Sequence, residues 1–271
     1  MTPKFIKYAL SSPFLMYEAL SLSALHLSTS HPERAQSFRD ESAKLQTEAL
    51  RMFNDSVKEI NAENVIPAFI YSGLLGLHYF SDTFATPSES LDDFLDRLVQ
   101  SLRLLRGVRA ILTGWWEFLL NSDIKTMIQE GQAVSDRSDE VVQHLDELCG
   151  SITQSAGLDP SQSKVCEDAI RQMIWVYKSQ PSSDLMGEKQ NPWMITTWPI
   201  MVSPEYMNLL AQRKPEALVV LSYFTVLLHN CSGFWAIGKG GRFLLDVLGA
   251  YLGEQWKAWL AWPRSIIYVS S

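Results

Sequence analysis

Residues 1–28, MTPKFIKYALSSPFLMYEALSLSALHLS, look at first like a signal peptide, and how they are read decides the fold. Glu18 interrupts the run and no small-residue cleavage pattern closes it, which argues against a secretory leader. Nowhere does the chain hold the roughly eighteen consecutive apolar residues that a membrane span needs. Phe14, Tyr17, Ala24 and Leu27 instead keep helical spacing within a segment apolar on most sides, which is the pattern of a helix buried in a protein interior.

The same period recurs outward from this stretch. Residues 31–60 set Phe38, Leu45, Leu50 and Phe53 among charges, an amphipathic helix with Pro32 in its first turn. Residues 62–84 read as another buried helix, with Pro67 early in it. Residues 89–131 read as one or two helices, bent near Gly107 or Gly114 and ending at Gly131. Ser203 before Pro204 and Glu205 marks a helix start, and helical patterns follow over 214–230 and 241–262. Alternating strand patterns and Asn-Gly hairpin turns are nearly absent. The expected fold is all-α, one globular multi-helix domain over residues 1–271 around a hydrophobic pocket. Residues 179–192, polar and rich in Pro, Ser and Gly, are expected to form a mobile loop.

Bulk composition narrows the function. The 271 residues are 46% hydrophobic and 20% charged, an ordinary globular balance, and the net charge of −7 repels a phosphate backbone. Direct nucleic-acid binding by this chain is therefore not expected. Cys149, Cys166 and Cys231 show no metal-ligand spacing and suit a reducing compartment. The expected location is the cytoplasm, and the sequence leaves a homodimer open.

Three groups of residues could carry chemistry. Asp92, Asp93 and Asp96 form DDxxD, in which Asp92 and Asp96 share a helical face and could hold Mg²⁺ through hard carboxylate oxygens. The same pentad arises as the wet, dipole-favoured start of a helix. Ser122, Thr126 and Glu130 fall at i, i+4 and i+8 and could add metal ligands; otherwise Ser122 is a cap and Glu130 is surface. In FWAIGKGGRF, residues 234–243, Lys239 lies between glycines before a helix, with Arg242 three residues on. There it could grip a diphosphate, or be an exposed lysine in a plain loop. Arg103 and Arg106 could add phosphate contacts or pair with nearby acids. Trp115, Trp116, Phe234 and Trp235 could line an aromatic pocket that steadies a cation, or pack as core.

Three stretches, SPFLMYEALSLSALHLS, LLRGVRAIL (104–112) and PEALVVLSYFTVLLHNCSGFWAIGKGGRFLLDV (215–247) followed by WKAWLAWPR (256–264), resemble the C-terminal effector domain of fungal zinc-cluster transcription regulators of the sterol-uptake-control type. That resemblance implies an all-helical domain that binds a hydrophobic ligand, nuclear in location, with DNA bound by a separate six-cysteine zinc domain. This sequence holds no six-cysteine cluster and no basic arm, and if it is the whole gene product it cannot bind DNA in that manner. The chain also resembles atypical fungal terpene cyclases of the humulene-synthase type, all-helical enzymes that use magnesium and an essential lysine. That second resemblance implies a Mg²⁺-dependent sesquiterpene cyclase acting on a prenyl diphosphate such as farnesyl diphosphate, with Lys239 as the catalytic residue. The enzyme is the expectation carried forward, with the ligand-sensing effector domain as the alternative.

Overall fold

A computed structural model describes residues 3–86, 88, 90–125, 140–179 and 194–269. It holds thirteen α-helices among those residues and no strand, as the sequence led us to expect. The chain divides into two compact units. The first comprises residues 1–86 and 104–130, the second residues 87–103 and 131–271.

In the first unit α1 (Pro3–Ser11) and α2 (Pro13–Ser30) are joined through Ser12, whose extended backbone precedes a first-turn proline. Phe14, Glu18, Ser21, Leu25 and Ser28 follow one stripe of α2, and all are buried. Of the residues expected to form that stripe, Phe14 and Ala24 are buried, whereas Leu27 is exposed. The buried face meets α3 (Ala35–Ser56) and α4 (Val65–Ala85). Phe53 of α3 stacks on Tyr71 of α4 with ring centroids 4.5 Å apart, and Phe14 stands edge-on to both. Helix α5 (Leu91–Leu112), of which residues 91–103 belong to the second unit and 104–112 to the first, runs without interruption through Gly107 and ends before Gly114, whose φ of +81° only glycine adopts freely. The short α6 (Trp116–Leu120) follows.

The second unit is built on α11 (Pro215–Asn230), buried from Glu216 to Leu228 without a wet face. Around it lie α7 (Glu140–Thr153), α8 (Pro160–Lys178), α12 (Gly240–Leu252) and α13 (Ala261–Val269). The short α9 (Met194–Met201) and α10 (Pro204–Ala211) complete the unit. Ser203 caps its helix as expected, and Asp159, not singled out in the sequence, does the same for α8. Asp159 accepts a hydrogen bond from the Gln162 amide at 2.9 Å and Ser203 one from the Tyr206 amide at 3.1 Å. Trp198 of α9 is fully buried, donates its indole N–H to the Ala169 carbonyl at 2.8 Å, and stacks on Phe224 of α11. Ser179 ends α8, and the rest of the expected mobile segment, 180–192, lies outside the described residues.

Burial sets the thiol chemistry. Desolvation, with Glu216 nearby, pushes the Cys166 thiol up to about 12, and burial pushes Cys231 up to about 11. Both groups stay neutral in the fold, so their contribution to stability is present below the unfolded thiol value and fades as pH rises through about 9 to 12. Titration of the native protein with a thiol reagent at pH 8 should label at most Cys149 rapidly. Rapid labelling of all three before denaturant is added would contradict this burial.

Candidate functional site

The acidic pentad opens α5. Ser90 caps the helix by accepting from the Asp93 amide at 3.1 Å, so Asp92 and Asp93 stand in the first turn, where the helix dipole favours negative charge. Asp92 and Asp96 share a face as expected, and their side chains stand mostly in solvent, 72% and 73% exposed. Both turn toward Arg213. Its Nη2 donates to Asp96 Oδ1 at 2.5 Å and to the Asp92 carbonyl at 3.3 Å, and its Nε lies 3.9 Å from Asp92 Oδ1.

Arg213 explains the pentad. It follows α10 with φ of +56°, in the left-handed region that non-glycine residues avoid. The Lys214 amide donates to the Leu209 carbonyl and the Arg213 amide to the Leu210 carbonyl, both at 3.0 Å, which is the paired closure of a helix C-terminus usually made by glycine. An arginine stands there because its side chain, only 13% exposed, carries a cation to two carboxylates and the Leu210 carbonyl. Replacing Arg213 with Ala loses the pairs yet keeps the backbone strain, at a cost of about 1–2 kcal/mol once solvent screening is allowed for. Arg213→Gly should be about 1 kcal/mol more stable than Arg213→Ala, because glycine adopts that conformation freely. Urea denaturation of the two variants checks the order, and an alanine variant at least as stable as the glycine one would contradict it.

Lys239 is exposed at the start of α12. The glycines around it have structural duties. Gly238 takes φ of +48°, and a Cβ on Gly241 would stand 2.6 Å from both the His229 nitrogen and the Thr225 carbonyl oxygen of α11. Glycine is thus needed there for helix–helix approach. Arg242 lies over the Tyr268 ring at 4.7 Å, and Tyr268 hydrogen-bonds Asp246. Arg103 donates to Asn208 Oδ1 at 3.2 Å, while Arg106 falls in the first unit. The expected aromatic set also divides, Trp115 and Trp116 in the first unit, Phe234 and Trp235 in the second. Ser122 sits in a turn, its hydroxyl donating to the Leu119 carbonyl at 2.7 Å, and Thr126 and Glu130 lie outside the described residues. Among the described residues no three His, Cys, Asp or Glu side chains gather as a metal site, and the pentad's outer carboxylates serve an arginine.

Sequence reasoning missed a buried polar centre in the first unit. Ser21 of α2 and Ser42 of α3 exchange hydrogen bonds, each hydroxyl donating to the other's carbonyl, at 2.7 and 2.9 Å. His78 of α4 sets Nδ1 3.3 Å from the Ser21 hydroxyl and 3.4 Å from Glu18 Oε1. Glu18 is fully buried, and neither of its oxygens has a hydrogen-bond partner among the described residues. Burial, with Glu18 adding to it, pushes the Tyr71 phenol well above its usual value. The available clue was Glu18 itself, an acid within an apolar helix.

Comparison with known proteins gives the family. Residues 4–174 match the family described as the fungal specific transcription factor domain, and the chain belongs to that family. A relative from Gibberella zeae, a Zn(2)-C6 fungal-type transcription factor, is 24% identical over 275 residues, which cover 93% of this chain and 53% of the relative. The chain thus spans about half the length of that curated relative. No solved structure matches. The family membership overturns the expectation of a prenyl-diphosphate cyclase: the chain is a fungal transcription-factor domain. Among the described residues no helix is long and apolar enough to cross a membrane.

Proposed function

We propose that this chain is the effector domain of a zinc-cluster transcription regulator, acting in the nucleus and responding to a small hydrophobic ligand of sterol size. The observation that carries the proposal is the family match across residues 4–174, supported by a regulator relative that aligns over nearly the whole chain. The three stretches that resemble sterol-uptake regulators supply the ligand class. An acidic chain with net charge −7 would leave DNA contact to a separate zinc domain of the same protein.

Two measurements test this. Sequencing of the full-length transcript should find six cysteines in zinc-cluster spacing in frame with this chain, and an open reading frame without them would oppose it. Binding of a fluorescent sterol to the purified protein should be saturable and unaffected by Lys239→Ala, since a sterol offers no phosphate to an exposed lysine. Incubation with farnesyl diphosphate and Mg²⁺ should yield no hydrocarbon.

A further inference from the structure

We propose that Glu18 of α2 and Tyr71 of α4 hold an ordered water molecule between their helices, inside the polar centre of the first unit. The case is a count of donors and acceptors. Glu18 is 0% exposed, and both its oxygens lack a hydrogen-bond partner among the described residues. The same holds for the hydroxyl of Tyr71, a residue 1% exposed. Buried polar atoms of folded chains almost always have partners, because an unmet one costs its full desolvation. Their neighbours cannot supply them. The Ser21 and Ser42 hydroxyls each spend their proton on the other's carbonyl, at 2.7 and 2.9 Å. His78 Nδ1 lies 3.4 Å from Glu18 Oε1 and 3.3 Å from the Ser21 hydroxyl oxygen. A single ring N–H cannot satisfy both carboxylate oxygens and that hydroxyl as well.

Helix geometry brings the unmet groups together. Phe14 stands edge-on to the Tyr71 ring at 5.4 Å, and Glu18 follows Phe14 by one turn on the same stripe of α2. His78, beside Glu18, follows Tyr71 by two turns on α4, so the carboxylate falls between Tyr71 and His78 along the seam of the two helices. Burial first and Glu18 second raise the Tyr71 and Tyr79 phenols, as a carboxylate near both rings would. Chemistry then selects the occupant. Among the described residues no three His, Cys, Asp or Glu side chains gather as a metal site, and one carboxylate is too few for a hard cation. An anion would be repelled by Glu18. The walls are apolar core, with Phe14, Leu15, Ala19, Ile70 and Leu74 in one cluster with Tyr71. A water suits both groups: it accepts the Tyr71 proton and donates to Glu18, which gives it the two polar partners a buried water needs.

The test is a crystal structure of the full chain at a resolution where single waters are visible. Density should stand roughly 2.5–3.0 Å from the Tyr71 hydroxyl oxygen and from one Glu18 oxygen. A direct hydrogen bond between Tyr71 and Glu18, or a centre without density, would overturn the proposal. So would an anomalous signal at that point in crystals grown with rubidium salt, which would give the site to a cation. In solution, oxygen-17 relaxation dispersion counts the waters that stay bound long enough to be part of the fold. That count should fall by one in Glu18→Leu/Tyr71→Phe, which removes both partners and leaves apolar groups of similar shape, a nearly neutral exchange for a buried polar pair. An unchanged count in the folded double variant would contradict the proposal. Should the variant fail to fold, the wild-type crystal structure decides alone.

Discussion

Trp198→Ala should destabilise the second unit by about 3–5 kcal/mol, the range for removing a fully buried indole from a core that cannot collapse around the gap. Trp198 is 0% exposed, stacks on Phe224 at 4.7 Å, meets Tyr206 edge-on at 5.6 Å, and donates to the Ala169 carbonyl of α8. It therefore joins α8, α9, α10 and the central α11, and its loss removes both packing and a buried hydrogen bond. Trp198→Phe should recover most of the packing and none of the hydrogen bond, so it should fall between wild type and alanine. Urea denaturation followed by far-ultraviolet circular dichroism measures this. A change below about 1 kcal/mol for alanine would show that the indole is not a core residue.

The second large effect separates structure from chemistry in GKGGR. Gly241→Ala places a methyl 2.6 Å from two backbone atoms of α11, where no side chain can yield, so the helices must part. The cost should reach about 2–3 kcal/mol, at the upper end for overpacking, with most of it appearing as earlier unfolding. Lys239→Ala, two residues earlier and exposed, should cost no more than about 0.5 kcal/mol. If alanine at 241 were tolerated as well as alanine at 239, the glycine would have to be explained by something other than helix approach.

These two positions also show where the sequence stopped being legible. Helices, their period and several of their starts were readable, because propensity, spacing and caps are local: Ser203 and Pro204 announce α10, whereas the stripe read on α2 holds at Phe14 and Ala24 and fails at Leu27, because the helix is apolar on most sides and only its neighbours choose the buried face. The duties of Gly241 and of the acidic pentad were not readable. A glycine before a helix serves an anion and a close-packed neighbour equally well, and only the position of α11 tells them apart. Asp96 meets its partner Arg213 across 117 residues of sequence, so DDxxD could be given a metal but not the arginine it holds. Glu18 was visible as an interruption of an apolar run, while the histidine facing it lies two helices later. Local patterns thus gave the class of fold, and long-range contacts decided what the charged residues do.

We propose that this chain controls transcription in response to a sterol-sized ligand. The most direct test fuses residues 1–271 to a heterologous DNA-binding domain in a fungal cell carrying a matched reporter, and compares reporter transcript with and without depletion of cellular sterols. The account predicts that transcript changes at least several-fold with sterol supply, that Trp198→Ala abolishes the response, and that Lys239→Ala leaves it intact. A stably expressed fusion in the nucleus whose reporter never departs from that of the DNA-binding domain alone would contradict it.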